Sequence, residues 1–526
     1  MSESKKIAWF TPGDVDAALG VFFDGFSKII IGVTVITGVM KMPSEILFGK
    51  IISATGLAVL IALIWNTYLA RKTGFRTKNF SITALPGGVA VGTFFVRLFA
   101  VMLPVYFATK SYEMAWKVGV MSNIFHSLLL LLFAFTVEYI LKYVPTQAIF
   151  GGLAGGSVAW LILATLGDAY AYPTVIIPAL FILLTLYFGK LEIKNLSPGI
   201  VGVGIGTIIA WLSGAMNGSA VIDSFKTLGF YIPLPQMSFM ATDVINVALK
   251  YLPITIAFAF ADTISGIQAI EQAAAGGDKY NVKETLVGLS IANLIGAFIG
   301  NPFSISYYWG HPAWKRAKAG ATYPLFVGIF YVILCATGIV AIATSILPSA
   351  ATIILIIYAG ITSFSQAFEV NEKKYFPAIS IGVAIPIFEL IYGKINNGIE
   401  GAKIAIGEAL KANGIDFSLD NIVVSTDHLA QAGVSKGYLP LSQGSMLIAI
   451  IYTAILTFII DRKWLGVSGS FLVASIFSFF GLIHADGVAI NAAPTYTMIY
   501  LLMSGLFAAI YFLTKNESKK IEEENT

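Results

Sequence analysis

Charge is scarce in this sequence. Asp, Glu, Lys and Arg make up 12% of its 526 residues, and the net charge is only +4. A soluble domain carries roughly twice that charged share. With 57% of the residues hydrophobic, no soluble core can hide the apolar surface, and lipid must be the solvent for much of the chain. No block of like charges is present, so nucleic acid is excluded as a partner. Cysteine is nearly absent. The single Cys335 lies in an apolar run, which rules out an intrachain disulfide and says nothing of redox compartment. The four histidines are widely spaced and form no metal-ligand pattern, and no cofactor is expected. Paired carboxylates, Ser-His-Asp and Cys-His arrangements are also missing, so the chain does not read as an enzyme. A cleavable signal peptide is not expected. Met1 to Gly13 is polar, and the first apolar run is long enough to span by itself.

Long apolar runs are what the sequence does have. A bilayer core about 30 Å thick needs roughly 20 apolar residues in a helix. Runs of that order fall near 16–40, 46–70, 82–107, 115–141, 146–166, 172–189, 197–216 and 244–272. Others fall near 284–300, 301–318, 323–347, 350–368, 376–392, 441–461, 467–484 and 495–513. The run at 301–318 is the most polar. The expected fold class is therefore an all-α polytopic membrane protein, with membrane lipid as its surroundings.

Loop charge orients it. With Lys5 and Lys6 in the cytoplasm, alternation gathers Arg71, Lys72, Arg76, Lys78, Lys190, Lys194, Lys315, Arg316, Lys318, Lys373, Lys374, Arg462 and Lys463 on the inner side. Lys515, Lys519 and Lys520 follow in the tail, while short outer loops hold only Lys41, Lys110 and Lys117. Both termini are thus expected in the cytoplasm of a plasma or inner membrane. The reading divides the chain into an N-terminus (1–15), a first repeat (16–216), an outer loop (217–243), a second repeat (244–461), extra C-terminal spans (462–513) and a tail (514–526). Within the second repeat lies a polar outer insertion, 394–440, with a helix-like stretch near Glu400 to Leu410.

Each repeat holds an odd number of segments, seven, so the second would be inverted, a common plan for secondary transporters. Phe22-Phe23-Asp24-Gly25-Phe26-Ser27 in the first segment and Phe260-Ala261-Asp262-Thr263-Ile264-Ser265 in the eighth both place an acid three residues before a serine. Leu85-Pro86-Gly87-Gly88 opens the third segment and Asn301-Pro302-Phe303-Ser304 opens the tenth. These openings predict two discontinuous half-helix segments. A half-helix starting near the midplane leaves unpaired N–H groups and a positive dipole end, tolerated only inside protein or a watery cavity.

Ionisable groups inside spans are expensive and mark pathways or pairs. Asp24 and Lys28 share a face of the first span. They form either a neutralised structural pair or part of a coupling site. Asp262 accepts a hydrogen bond from a cargo, carries a coupling proton, or caps a neighbouring half-helix. Around it, Thr263, Ser304, Ser306, Tyr307, Tyr308, Phe23, Gly87 and Gly88 are expected to line a substrate site. Asp24, Lys28, Asp262 and His311 are the coupling candidates. Tyr307, Tyr308 and Trp309 also fit an aromatic belt, and His311-Pro312 also fits a helix start. Asn123 and His126, one turn apart, are expected to hydrogen-bond between helices. The sequence leaves Arg97 open between facing a cavity and pairing with an acid. Gly151, Gly152, Gly155 and Gly156, with Gly202, Gly204 and Gly206, read as close helix packing rather than phosphate loops.

The stretch from Ala257 to Pro324 resembles the xanthine/uracil permease superfamily, most closely its adenine–guanine–hypoxanthine branch. Phe260-Ala261-Asp262-Thr263 is similar to that family's eighth-span motif, and Asn293 to Gly300 to its ninth span. Lys283 to Gly300 is also similar to sulfate permease-type anion transporters, which share the seven-plus-seven fold. The resemblance implies a core domain that holds the site, a gate domain, and a site between the third and tenth half-helices with Asp262 as substrate or proton acid. It departs at Tyr307-Tyr308-Trp309-Gly310-His311, which lacks the acid usual in the tenth segment of nucleobase permeases. The expected function is a secondary transporter of a nucleobase such as a purine, xanthine or uracil, with H⁺ or Na⁺ as coupling ion. The alternatives are a sulfate, carboxylate or bicarbonate carrier and, from another class, a channel. A homodimer is compatible with this reading.

Overall fold

A computed structural model describes residues 6–38, 40–191, 193, 198–235, 237–308, 310–415 and 422–524. Among them the chain is overwhelmingly helical. This follows from the solvent: in lipid every backbone polar group must be satisfied within the protein, and a helix does so within its own segment. Among the described residues seven helices are long and apolar enough to cross a membrane. An eighth is the pair Tyr323–Ala336 and Ile339–Ile346, bent by 82° at Gly338, which takes φ +74°. Shorter apolar helices, such as Thr93–Thr109 and Ser445–Ile460, lie between them. The chain is a multi-pass membrane protein.

It divides into two compact units. The first comprises Met1–Glu138, Leu161–Ala248 and Phe258–Ala359. Here Tyr323–Ala336 packs along Ser53–Thr77. The approach is close because Gly56 and Gly328 have no side chains. A Cβ on Gly56 would stand 2.6 Å from that of Cys335, and one on Gly328 would stand 3.0 Å from the Leu60 Cα. Gly202 and Gly206 serve the same purpose. Gly204 meets nothing within 4 Å, so that glycine is not a packing contact.

The second unit comprises Tyr139–Trp160, Leu249–Ala257 and Gly360–Thr526. Thr146–Gly156, Phe376–Ala412 and Ser445–Ile460 pack on one another, and Phe150 and Ala154 of the first share a buried cluster with Ile379 of the second and with Ala367. At their crossing a Cβ on Gly382 would meet the Thr453 hydroxyl at 2.3 Å and the Gly151 carbonyl carbon at 2.9 Å. The C-terminal helices Trp464–Phe479 and Pro494–Glu524 pair, with Ser468 Oγ donating to Ser504 O at 2.8 Å. Glu400 to Leu410 is not a separate helix. Phe376–Ala412 is continuous over 37 residues, about 55 Å at helical rise, well beyond a bilayer core. No proline interrupts residues 387–412, so the helix runs on into the polar insertion.

The polar run at 301–318 is not a span. It holds a short strand and a short helix, His311–Arg316. Its strand β2 (Ile305–Tyr307) pairs antiparallel with β1 (Gly87–Val89), in the register Gly87 with Tyr307, Gly88 with Ser306 and Val89 with Ile305. After β1 the chain turns helical over residues 91–109. The third and tenth segments thus meet as a two-stranded ribbon in the first unit.

Such a ribbon leaves outer backbone groups unpaired, which is costly at membrane depth. Asparagines on flanking helices satisfy them. Asn293 accepts from Ile305 N–H at 2.7 Å and donates to Ile305 O at 2.8 Å, as a third strand would. Asn66 donates to Leu85 O at 3.1 Å. Asn123 donates to Asn301 O at 3.1 Å and Phe303 O at 3.2 Å. Trp116 Nε1 donates to Gly300 O at 2.9 Å.

Candidate functional site

Asp262 lies on the Leu252–Ala275 helix, beside the point where the ribbon turns into helix 91–109. Three groups converge on its Oδ2. Thr93 Oγ1 donates at 2.7 Å and Ser304 Oγ at 3.2 Å. His126 Nε2, from Tyr112–Tyr143, stands 3.1 Å away. That imidazole is fully buried and within ion-pair reach, yet neither ring nitrogen has the direction of a hydrogen bond to a described residue. Oδ1 makes no hydrogen bond among the described residues, and the Asp262 side chain is 13% exposed. Arg97, buried on helix 91–109, acts on Asp262 electrostatically. It lies in a π-helical stretch, Arg97–Met102, a distortion frequent at functional sites.

A second cation stands near the other side of the turn. Buried Lys28 places Nζ 4.2 Å above the centre of the Tyr308 ring and 3.4 Å from Val89 O. The Tyr308 hydroxyl donates to the same carbonyl at 2.9 Å. Gly88 leaves room for this tyrosine, since a Cβ there would lie 2.5 Å from its oxygen. Gly87 faces Asn66 and the Ser306 carbonyl in the same way.

Strand alternation sorts the expected residues. Ser304, Ser306 and Tyr308 share one face. Ser304 reaches Asp262, and the buried Ser306 hydroxyl has no partner among the described residues. Tyr307 falls on the opposite face, where its hydroxyl donates to Thr285 O at 3.1 Å, away from Asp262. Thr263 is turned into its own helix, donating to Ala259 O at 2.8 Å. Phe23 and Asp24 lie on Gly13–Gly38, and their side chains are outside those described.

His311 belongs to a different cluster. Its Nε2 lies 3.2 Å from Asp278 Oδ2 and 3.1 Å from Thr83 O. Asp278, in the connection after Leu252–Ala275, also receives Thr83 N–H at 3.1 Å, Asn79 Nδ2 at 2.6 Å and Lys315 Nζ at 2.8 Å. Burial works against its charge, but the His311, Lys315 and Thr83 donors outweigh burial and hold its carboxyl below the usual carboxylate range. The cluster ties the start of the third segment to the short helix of the tenth.

Three of the groups around Asp262 were not among the expected site residues: Thr93, His126 and Arg97. His126 was expected only to bond between helices, and Arg97 was left open. A histidine and an arginine in apolar runs are costly enough to signal a site, whereas Thr93 carries no such signal. Asn123, also expected to bond to another helix, instead donates to Asn301 O and Phe303 O in the non-helical stretch before β2.

What fold and site define is a many-span helical membrane protein, with a paired ribbon beside a buried polar cluster. The chain is similar to the transmembrane domain of a cyanobacterium bicarbonate transporter BicA, with 13% identity, 74% of this chain and 97% of that one covered, and a TM-score of 0.46. It is also similar to the murine Solute Carrier 26 family member A9 anion transporter in the inward-facing state, at 12% identity over 73% of this chain and 68% of that one, with a TM-score of 0.45. No family model matches the chain, and neither does any curated protein.

Proposed function

We propose that this protein is a secondary carrier of a small anion, of the sulfate, carboxylate or bicarbonate class, coupled to H⁺ or Na⁺ through Asp262. The observation that carries the reading is the set of charges around the ribbon. Buried Lys28 stands against Val89 O and Tyr308, and buried Arg97 acts on Asp262, whose carboxylate receives Ser304 and Thr93. When Asp262 takes up a cation, the cluster gains positive charge, and an anion entering with it restores the balance. The electrostatic attraction is strong because the surroundings are apolar. The Ser304 and Thr93 hydroxyls, and the unpartnered Ser306 hydroxyl, add donors for an oxyanion.

A nucleobase fits less well. The Tyr308 ring already carries the Lys28 ammonium and its hydroxyl is committed to Val89 O, so it is not free to stack on a planar ring on that face. On this reading the two repeats are 16–216 and 244–461, and both termini face the cytoplasm. Ligand bound to the native state raises its stability. Purified protein is therefore expected to melt at a higher temperature with sulfate, bicarbonate or a short carboxylate than with matched chloride. A rise with purines or pyrimidines and none with the oxyanions would reverse the reading in favour of a nucleobase.

A further inference from the structure

We infer that the coupling ion is a proton, held jointly by His126 and Asp262. The inference rests on the carrier reading above and deepens it. His126 is not a helix-packing residue alone. Its Nε2 stands 3.1 Å from Asp262 Oδ2, close enough that a small ring rotation makes an N–H···O bond. The other nitrogen, Nδ1, is buried with no partner among the described residues. On the same helix the Ser122 hydroxyl, one turn earlier, and the Asn123 side-chain amide oxygen Oδ1 are also buried and unpartnered among them. These atoms extend a polar track from the imidazole along Tyr112–Tyr143.

The donor set favours a proton over Na⁺. Hard cations take oxygen ligands converging on one point. Here an imidazole and two hydroxyls converge on one carboxylate oxygen instead. Each hydroxyl can turn from donor to acceptor when Asp262 is protonated, with no movement of heavy atoms. The charged groups that act on the ring are Asp262, from Leu252–Ala275, and Arg97, from helix 91–109. Lys28, from Gly13–Gly38, lies against Val89 and Tyr308. Arg97 balances the carboxylate when the imidazole is neutral and repels the imidazolium when it is charged, so the pair holds one proton. Loading forms one N–H or O–H bond, and release on the other side breaks it. No other bond changes.

The test uses full-length protein in lipid nanodiscs with ¹⁵N-labelled histidine rings. The chain has four histidines, so His126→Gln identifies the resonance. The expected result is a His126 signal that moves with pH over the range in which pH-driven uptake runs, and that no longer moves over that range in Asp262→Asn. In vesicles, His126→Gln with its folded yield unchanged is expected to lose sulfate or carboxylate accumulation driven by a pH gradient. A His126 ring that does not titrate overturns the inference. So does accumulation in His126→Gln equal to the parent, or wild-type accumulation driven by Na⁺ at equal pH. Wild-type vesicles that take up no solute at all would overturn the carrier reading itself, a result separable from the histidine titration, which needs no cargo.

Discussion

Asp262 and Asp278 are both carboxylates held by several donors, yet they lead to different expectations. Asp278 sits outside the spans, and its donors keep its carboxyl below the usual range. A group depressed in the folded state adds stability above its unfolded value, about 3.9 for Asp, and loses it as pH falls through the folded value. Asp278→Asn is therefore expected to lower stability by roughly 1–3 kcal/mol at neutral pH, with the gap narrowing below about pH 4. Thermal unfolding across pH measures this, and a gap that stays constant down to pH 2 would remove the charge from the account. Asp262 was legible in the sequence because a lone acid in an apolar run is conspicuous, and Lys28 was legible for the same reason. Tyr307 and Thr263 were grouped with Asp262 in the sequence, yet their hydroxyls bond to Thr285 O and Ala259 O. Membership of a polar cluster can be read from sequence, but strand parity and a hydroxyl bond to the preceding turn depend on local geometry.

At the scale of elements, hydropathy marked most helices because lipid demands long apolar stretches. It could not distinguish a polar span from a ribbon. Residues 301–318 hold a short strand and a short helix since Asn293 and Asn123 supply the hydrogen bonds a lone ribbon lacks. That support comes from distant positions and has no local signature. Replacing Asn293 with Leu, of similar size, leaves both Ile305 groups without their outer partner. It is expected to cost about 2 kcal/mol or more, read from denaturant unfolding in detergent. A loss below about 0.5 kcal/mol would mean that the ribbon does not depend on this clamp. The full length of the helix Phe376–Ala412 was also hidden, because a polar C-terminal half looks like loop on a hydropathy scale.

Over the whole molecule, composition alone was enough for a many-span membrane protein, and the openings at Leu85-Pro86 and Asn301-Pro302 marked where two segments break. The cargo was not legible. On the proposed carrier reading, selectivity turns on the charges near the ribbon, and Arg97 and His126 act on Asp262 from segments whose spacing says nothing of their partner. The departure at Tyr307 to His311 was informative nonetheless. The sequence has no acid there, and the charged side chains described near the ribbon include Lys28, Arg97 and Asp262, with His126 beside the carboxylate. The most direct measurement is uptake of labelled sulfate and carboxylates by sealed vesicles holding the wild-type chain or Asp262→Asn, under an inward pH gradient. Saturable accumulation by the wild type, abolished in the variant with its folded yield unchanged, is the predicted result; equal accumulation by both, or uptake of nucleobases that the anions do not compete for, would contradict it.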